Sequence, residues 1–576
     1  MTKQTPESLR ARASNLSLRM QALSGPNSPA ATPRPAKTPT APRPNNKPIP
    51  TEFIIADMAN RPASENLICA PCLSTIPPPN RPVIHHVVST DTCRLCALRT
   101  GDPAAYTKPF CDFMTDNPTV FHTVAHFRAQ LTDAGFEELP ARASWSDRLR
   151  PGGKYWTTRN GSALIAFTVG SSYQPGNGVA MIAGHIDALT ARLKPVSARP
   201  NAAGYVQLGV APYSGALNST WWDRDLSIGG RVVVRDPSSG KTSTRLVKLG
   251  WPIARIPSLA PHFGVGMTGS NNKETEMVPI IGLDNSDLAG TDAAAAAAAA
   301  AAEPIGPPGS FVNSQPPKLV KLIASELGLD SPSSILDWEL ELYDSQPAQT
   351  GGMDREFIFA PRIDDKLCSW SALTALLASS SSLDHGHIKL VALFDNEEIG
   401  SLLRQGARGN FLPQTIERAV ESLASSSSTS VGTDVMARTY AASFLLSADV
   451  SHAGNPNFLS RYLDGHVPRL NVGLAVSADP NGHMTTDAVS SAILRRVAER
   501  SGCRLQVFQI RNDSRSGGTV GPMLSAAMGV RAADAGLPQL SMHSIRATTG
   551  SLDPGLGVKI FKSLLDHWEE IDAEWQ

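Results

Sequence analysis

The chain of 576 residues carries 52 lysines and arginines against 52 aspartates and glutamates, so its formal net charge at pH 7 is zero. That balance gives no electrostatic reason to expect nucleic acid or an anionic membrane as a main partner. Its seven cysteines argue for a reducing compartment over a disulfide framework, and no apolar run has the length of a membrane span or the form of a signal peptide.

In chain order, residues 1–25 read as an amphipathic helix. Leu9, Ala13, Leu16, Met20 and Leu23 line one face, and Lys3, Arg10, Arg12 and Arg19 outnumber Glu7 on the other, which fits a targeting or docking helix as well as a frayed terminus. Residues 26–105 form an extension of low order. Its first half is rich in Pro, Ala, Thr and Asn and cannot bury enough apolar surface to offset chain entropy. Its second half holds Cys69-x-x-Cys72 and Cys93-x-x-Cys96, a spacing that suits a structural zinc site. No glycine follows either pair, so a disordered leader and an artefact of gene prediction fit as well.

Ordered pattern begins near Tyr106. Helical spacing runs from Thr119 to Ala134, followed by strand-like runs over Ala163–Val169 and Val179–Ala183, the second leading into Gly184-His185-Ile186-Asp187. A histidine at a strand end with an acid two residues on suits a metal ligand oriented by a carboxylate; a structural histidine is the plainer alternative. Residues 191–349 change character to short β-like runs such as Gly229–Arg235 and Thr244–Lys248, and predict an inserted β-rich domain with Ala293–Ala302 as a loop without chemistry.

Residues 350–576 resume an α/β pattern begun at 106–190. Asp364 falls at a helix start marked by Leu367, Trp370, Leu373 and Leu377, where an N-cap role is the plain reading. The apolar run Ile388–Phe394 predicts an interior strand that delivers Asp395-Asn396-Glu397-Glu398. Adjacent glutamates there require either solvent or a cation. Further strand ends lead Phe444–Ser447 into Asp449 and Gln539–Met542 into His543, and between them a helix over Asp487–Arg500 and a strand over Leu505–Ile510 are expected. Open α/β sheets place ligands at the carboxyl ends of their strands. Two histidines and several carboxylates without a thiol suit zinc, manganese or cobalt in a hydrolytic site.

From about Tyr106 onward the sequence resembles the aspartyl aminopeptidase and vacuolar aminopeptidase I family of two-zinc exopeptidases. The resemblance rests on Gly184-His185-Ile186-Asp187, Trp222-Asp223-Arg224-Asp225-Leu226, Arg255-Ile256-Pro257, Pro361-Arg362-Ile363-Asp364, Asp395-Asn396-Glu397-Glu398-Ile399-Gly400-Ser401, Ser447-Ala448-Asp449, Arg511-Asn512-Asp513 and Met542-His543-Ser544-Ile545-Arg546. It implies a layered α/β zinc-exopeptidase sheet domain with an inserted β-rich dimerisation or lid domain. It also implies that Asp364 bridges two zinc ions, one held further by His185 and Asp449 and the other by Glu398 and His543. Glu397 would be the general base, and Asp187 would hold His185. His452 would contact the substrate, and His262 would reach a neighbouring subunit's active site within a dodecamer. Peptides would be the substrates, and the cytoplasm, with delivery to the vacuole, the compartment.

The sequence departs from the aspartyl branch at two positions. Ser477 and Met484 stand where a lysine and a tyrosine are expected, which weakens recognition of an acidic first residue. Together with the N-terminal helix, which resembles the vacuolar enzyme's propeptide, this favours neutral or apolar first residues. Removal of N-terminal Asp or Glu, and an inactive assembly or cargo protein of the same fold, are the alternatives.

Overall fold

A computed structural model describes residues 101–263, 271–285, 304–425 and 432–575. The helix expected over residues 1–25, the two Cys pairs and the polyalanine tract lie outside the described residues. Among the described residues the largest sheet has nine strands. In chain order these are β1 (Glu137–Glu138), β2 (Lys154–Arg159), β3 (Ala163–Val169) and β4 (Val179–His185), with five more after a long excursion. That excursion supplies β5 (Thr190–Ala198), β6 (Tyr205–Tyr213), β7 (Leu226–Arg235), β8 (Thr242–Lys248), β9 (Ile280–Leu283) and β10 (Ile335–Asp344), which pair as a separate six-stranded antiparallel sheet in the order β8-β7-β10-β5-β6-β9.

The chain then forms β11 (Gln349–Gly351) and β12 (Phe357–Ala360), returns to the large sheet with β13 (Ile388–Phe394) and β14 (Phe444–Ser447), and makes the short β15 (Ser451–His452). The strands β16 (Ala475–Ser477), β17 (Gln506–Phe508) and β18 (Arg531–Gly536) complete that sheet, while β19 (Pro538–Gln539) pairs with β15 and β20 (Ala547–Gly550) with β12. The large sheet runs β1-β2-β3-β13-β4-β14-β18-β16-β17, and its central strands β13, β4, β14 and β18 are parallel.

Every residue of β4 and of β13 is buried, as interior parallel strands covered on both faces require. Their side chains alternate between two cores. Ala180, Ile182, Val391 and Leu393 pack with the helices Ile363–Ser379 and Asp553–Ala573, whereas Met181, Ala183, Leu390 and Phe394 pack with the helix Phe411–Ser425. The six-stranded sheet has its own core, including Trp221, Ile228, Val320 and Leu340. At the strand end, Gly184 is required for close approach, because a Cβ there would lie 2.7 Å from an Asp365 carboxylate oxygen and 2.8 Å from the Ala448 carbonyl.

Several elements differ from the sequence expectation at their ends. The helix expected over 119–134 runs Val120–Asp133 with the Thr119 hydroxyl accepting from the His122 amide, and the helix expected over 487–500 runs Ala488–Ser501 behind an Asp487 cap. One expectation fails in kind: the approach to His543 is not a strand over 539–542. The strand β19 stops at Gln539, Leu540 makes a single antiparallel bridge to Thr548, and Ser541 and His543 adopt left-handed backbone, with φ of 61° and 63°. The large-sheet strand in this region is the earlier β18, whose Ala- and Gly-rich sequence carries few β-forming residues. Among the described residues no helix is long and apolar enough to cross a membrane, and Cys111, Cys368 and Cys503 are free thiols.

Candidate metal centre

The site forms where the parallel strands end. Register places Phe394 opposite His185 and Ser447 opposite Ala183, so His185, the Glu397–Glu398 turn and Asp449 emerge side by side. Asn396 turns the chain after β13 with φ of 65°, a left-handed conformation that asparagine tolerates well. Asp364 lies at the start of the helix Ile363–Ser379 but is not itself helical, with ψ of 114°, and the Asp364–Asp365 peptide is cis. It therefore does not act as a simple helix cap.

Asp364 faces both histidines. One of its oxygens is 3.2 Å from His185 Nε2 and the other 3.5 Å from His543 Nε2. His185 Nε2 is also 3.5 Å from Asp449 and 3.8 Å from Glu397, while His543 Nε2 is 3.7 Å from Glu398. Two neighbouring donor groups result, with no residue in common: His185, Asp365 and Asp449, and Asp364, Glu398 and His543. Asp365 was not anticipated from sequence. Fully buried, it accepts a hydrogen bond from the His185 amide at 3.4 Å; its neighbour Asp364 drew attention because it ended the motif.

On the far side of His185, Nδ1 is 3.2 Å from both the carbonyl and the carboxylate of Asp187. That carboxylate accepts from the Glu397 amide at 3.1 Å, the Glu398 amide at 3.2 Å and the Tyr213 hydroxyl at 2.7 Å. The Ser369 hydroxyl donates to the His185 carbonyl at 2.6 Å. The His543 loop is tied to the six-stranded sheet: Asn218 donates to the His543 carbonyl at 3.0 Å and the Ile545 amide to the Thr220 hydroxyl at 3.0 Å. Arg546 anchors the same loop through Asp344 and the carbonyls of Gln346, Pro347 and Phe359.

The electrostatics call for a cation. Burial, reinforced by Asp449, Asp187 and Asp364, pushes the Glu397 carboxyl up to about 8, and burial with Asp364 pushes Glu398 to about 10. Burial raises Asp449 as well, and raises Asp365 far above the usual carboxylate range. Burial opposes a proton on His185, yet Asp449, Asp187 and Asp364 hold its imidazole well above its ordinary value. Buried Glu398 Oε1 and Asp365 Oδ1 have no hydrogen-bond partner. Mutually repelling carboxylates with spare lone pairs fit divalent cations, which would replace the protons.

Beside the cluster an open cleft of about 400 Å³ is lined by Glu397, Glu398, His452, Ser477 and Met484, with Phe508, Ile510, Met523 and Met542 supplying apolar wall. His452 packs on Phe508 with ring centres 5.5 Å apart. His262, by contrast, is exposed beside Phe263 and does not line this cleft.

An α/β sheet with a core on each face and such donors at the carboxyl ends of its parallel strands defines a metal-dependent hydrolase. The comparisons give its family. The family model described as aminopeptidase I zinc metalloprotease (M18) matches residues 113–565. Vacuolar aminopeptidase 1 of Saccharomyces cerevisiae is 42% identical over 477 residues, 81% of this chain and 89% of the relative. A solved structure of Chaetomium thermophilum mApe1 is 64% identical with a TM-score of 0.76, covering 82% of this chain and all of that one. A solved mApe1 dodecamer of S. cerevisiae is 37% identical with a TM-score of 0.70, covering 82% and 99%. The chain belongs to the M18 aminopeptidase I family and is a zinc metalloaminopeptidase.

Proposed function

We propose that the chain holds two zinc ions and removes neutral or apolar first residues from peptides. His185 and Asp449 would hold one ion, Glu398 and His543 the other, and Asp364 would be shared. The observation that carries this is the position of Asp364, whose two oxygens face the two histidines separately. Manganese or cobalt would suit the same oxygen and nitrogen donors.

When bound, zinc supplies Lewis-acid polarisation of the scissile carbonyl and acidifies water. Glu397, its carboxylate 3.8 Å from His185 Nε2 and open to the cleft, takes the proton of the attacking water and passes it to the leaving amine. Asp187 holds His185 by its Nδ1 and, through the Glu397 amide, holds the base as well. His452 contacts the substrate at the cleft wall. His262, exposed on the six-stranded sheet side of the chain, reaches the active site of a neighbouring subunit.

Met484, Phe508, Ile510, Met523 and Met542 around the cleft favour an apolar first residue by burial of its side chain. An acidic first residue has one arginine or lysine available among the cleft-lining residues, Arg408, and removal of Asp or Glu through it is the second reading. The assembly is a dodecamer, by likeness to the S. cerevisiae enzyme. The protein acts in the cytoplasm and is delivered to the vacuole, as the name of the vacuolar relative suggests. The domains divide as 106–190 with 350–576 for the peptidase unit and 191–349 for the inserted unit.

Zinc analysis tests the centre. The purified chain should carry two zinc ions, and His185→Ala and His543→Ala should each lower the content. Full zinc in both variants would refute the assignment.

A further inference from the structure

Tyr213 ends β6, in the six-stranded sheet, where it pairs with Thr190 at the start of β5. It is buried, 6% exposed, and the Arg192 guanidinium lies 4.0 Å over its ring. Its hydroxyl is 2.7 Å from Asp187 Oδ2 and 3.1 Å from Asn396 Oδ1. A phenol has one proton to give, and the shorter contact to a charged acceptor takes it. Burial and the Asp187 and Asp395 carboxylates raise the phenol's pKa, so the group remains a donor.

The consequence lies in what Asp187 does. Oδ1 meets His185 Nδ1 and the Glu397 amide, while Oδ2 meets the Glu398 amide and the Tyr213 hydroxyl. Three of these four partners belong to the site itself. Tyr213 is the partner that comes from the other sheet, and it fixes the carboxylate plane from outside. Without it Oδ2 keeps only the longer bond from the Glu398 amide, and the carboxylate is held less firmly about its last torsion, a broad two-fold well. Rotation would loosen His185 Nδ1 and the Glu397–Glu398 turn together.

We propose that Tyr213 is a positioning residue through which the six-stranded sheet holds both the zinc-binding face of His185 and the base Glu397. This rests on the reading of His185 as a zinc ligand. Partners behind a metal-binding histidine typically change metal affinity by about ten- to a hundredfold when removed.

The test is zinc competition against a chromophoric chelator on the full chain, with kcat and KM measured at saturating zinc and folding checked by thermal melting. Tyr213→Phe should keep the fold, bind zinc roughly ten- to a hundredfold more weakly, and lose kcat while KM stays near the parent value. Tyr343→Phe is the matched control, because it removes another buried hydroxyl of the same sheet, one that donates to the Leu249 carbonyl at 2.7 Å, and should leave zinc affinity unchanged. In an Asp187→Ala background, where the hydroxyl has no side-chain oxygen at 187 to hold, Tyr213→Phe should have no further effect on zinc affinity, and affinities are compared well below each variant's melting temperature so that a lowered stability does not mask the result. Parent-like zinc affinity in Tyr213→Phe, an equal loss in Tyr343→Phe, or an undiminished loss in the Asp187→Ala background would overturn the proposal. A parent protein that takes up no stoichiometric zinc would instead overturn the reading of His185.

Discussion

Adding zinc to the metal-free chain at pH 7 should release protons. With Glu397 pushed up to about 8 and Glu398 to about 10, roughly nine-tenths of the first and nearly all of the second are protonated at that pH. His185, held well above its ordinary value, and Asp365, raised far above the usual carboxylate range, add to these, so the expected release is at least about two protons per chain. The sign follows: protons are bound in the metal-free state and lost on binding, so zinc affinity falls as pH is lowered below about 10, and more steeply below about 8. Titration calorimetry in two buffers of different ionisation enthalpy at the same pH measures the proton count directly. A release near zero, or an uptake, would mean that the carboxylates are ionised without a cation and that their crowding does not require one.

Ser477→Lys should raise turnover of a glutamyl substrate relative to a leucyl one by at least about tenfold, since a buried substrate carboxylate gains a partner; an unchanged ratio in a substrate panel would exclude Ser477 from the specificity wall. His387, buried and bonded to the Leu565 carbonyl, has its pKa lowered from 6.5 to about 4, first by burial. The unfolded chain takes up this proton as pH falls through 6.5 while the folded chain resists until about 4, so up to about 3 kcal/mol of stability is lost across that window. His387→Gln should flatten the decline, measured by denaturant unfolding at pH 7 and pH 4.5. An equally steep decline in the variant would assign it to other groups.

Much of the site was legible because its donors end short apolar runs whose strand character follows from length and composition. His185 after β4, Glu397 and Glu398 after β13 and Asp449 after β14 are of this kind. The resemblance then tied Asp364 and His543 to them. What escaped sequence reading depends on tertiary contact. The His543 loop carries left-handed residues that no apolar pattern announces. Asp365 is silent beside Asp364 until the helix start is seen to turn its carboxylate toward the His185 amide. Tyr213 ends a β-like run with nothing local to distinguish it, and only the meeting of two sheets brings its hydroxyl to Asp187.

The claim at the centre is that these distant donors hold zinc while Glu397 moves the proton. Replacing Glu397 by Gln removes the proton acceptor and little else, so zinc content and hydrolysis of an aminoacyl substrate should be measured together on that variant. Full zinc with turnover reduced by orders of magnitude is the expected pair. Parent-like turnover with zinc retained would contradict the role of Glu397 and the chemistry built on it.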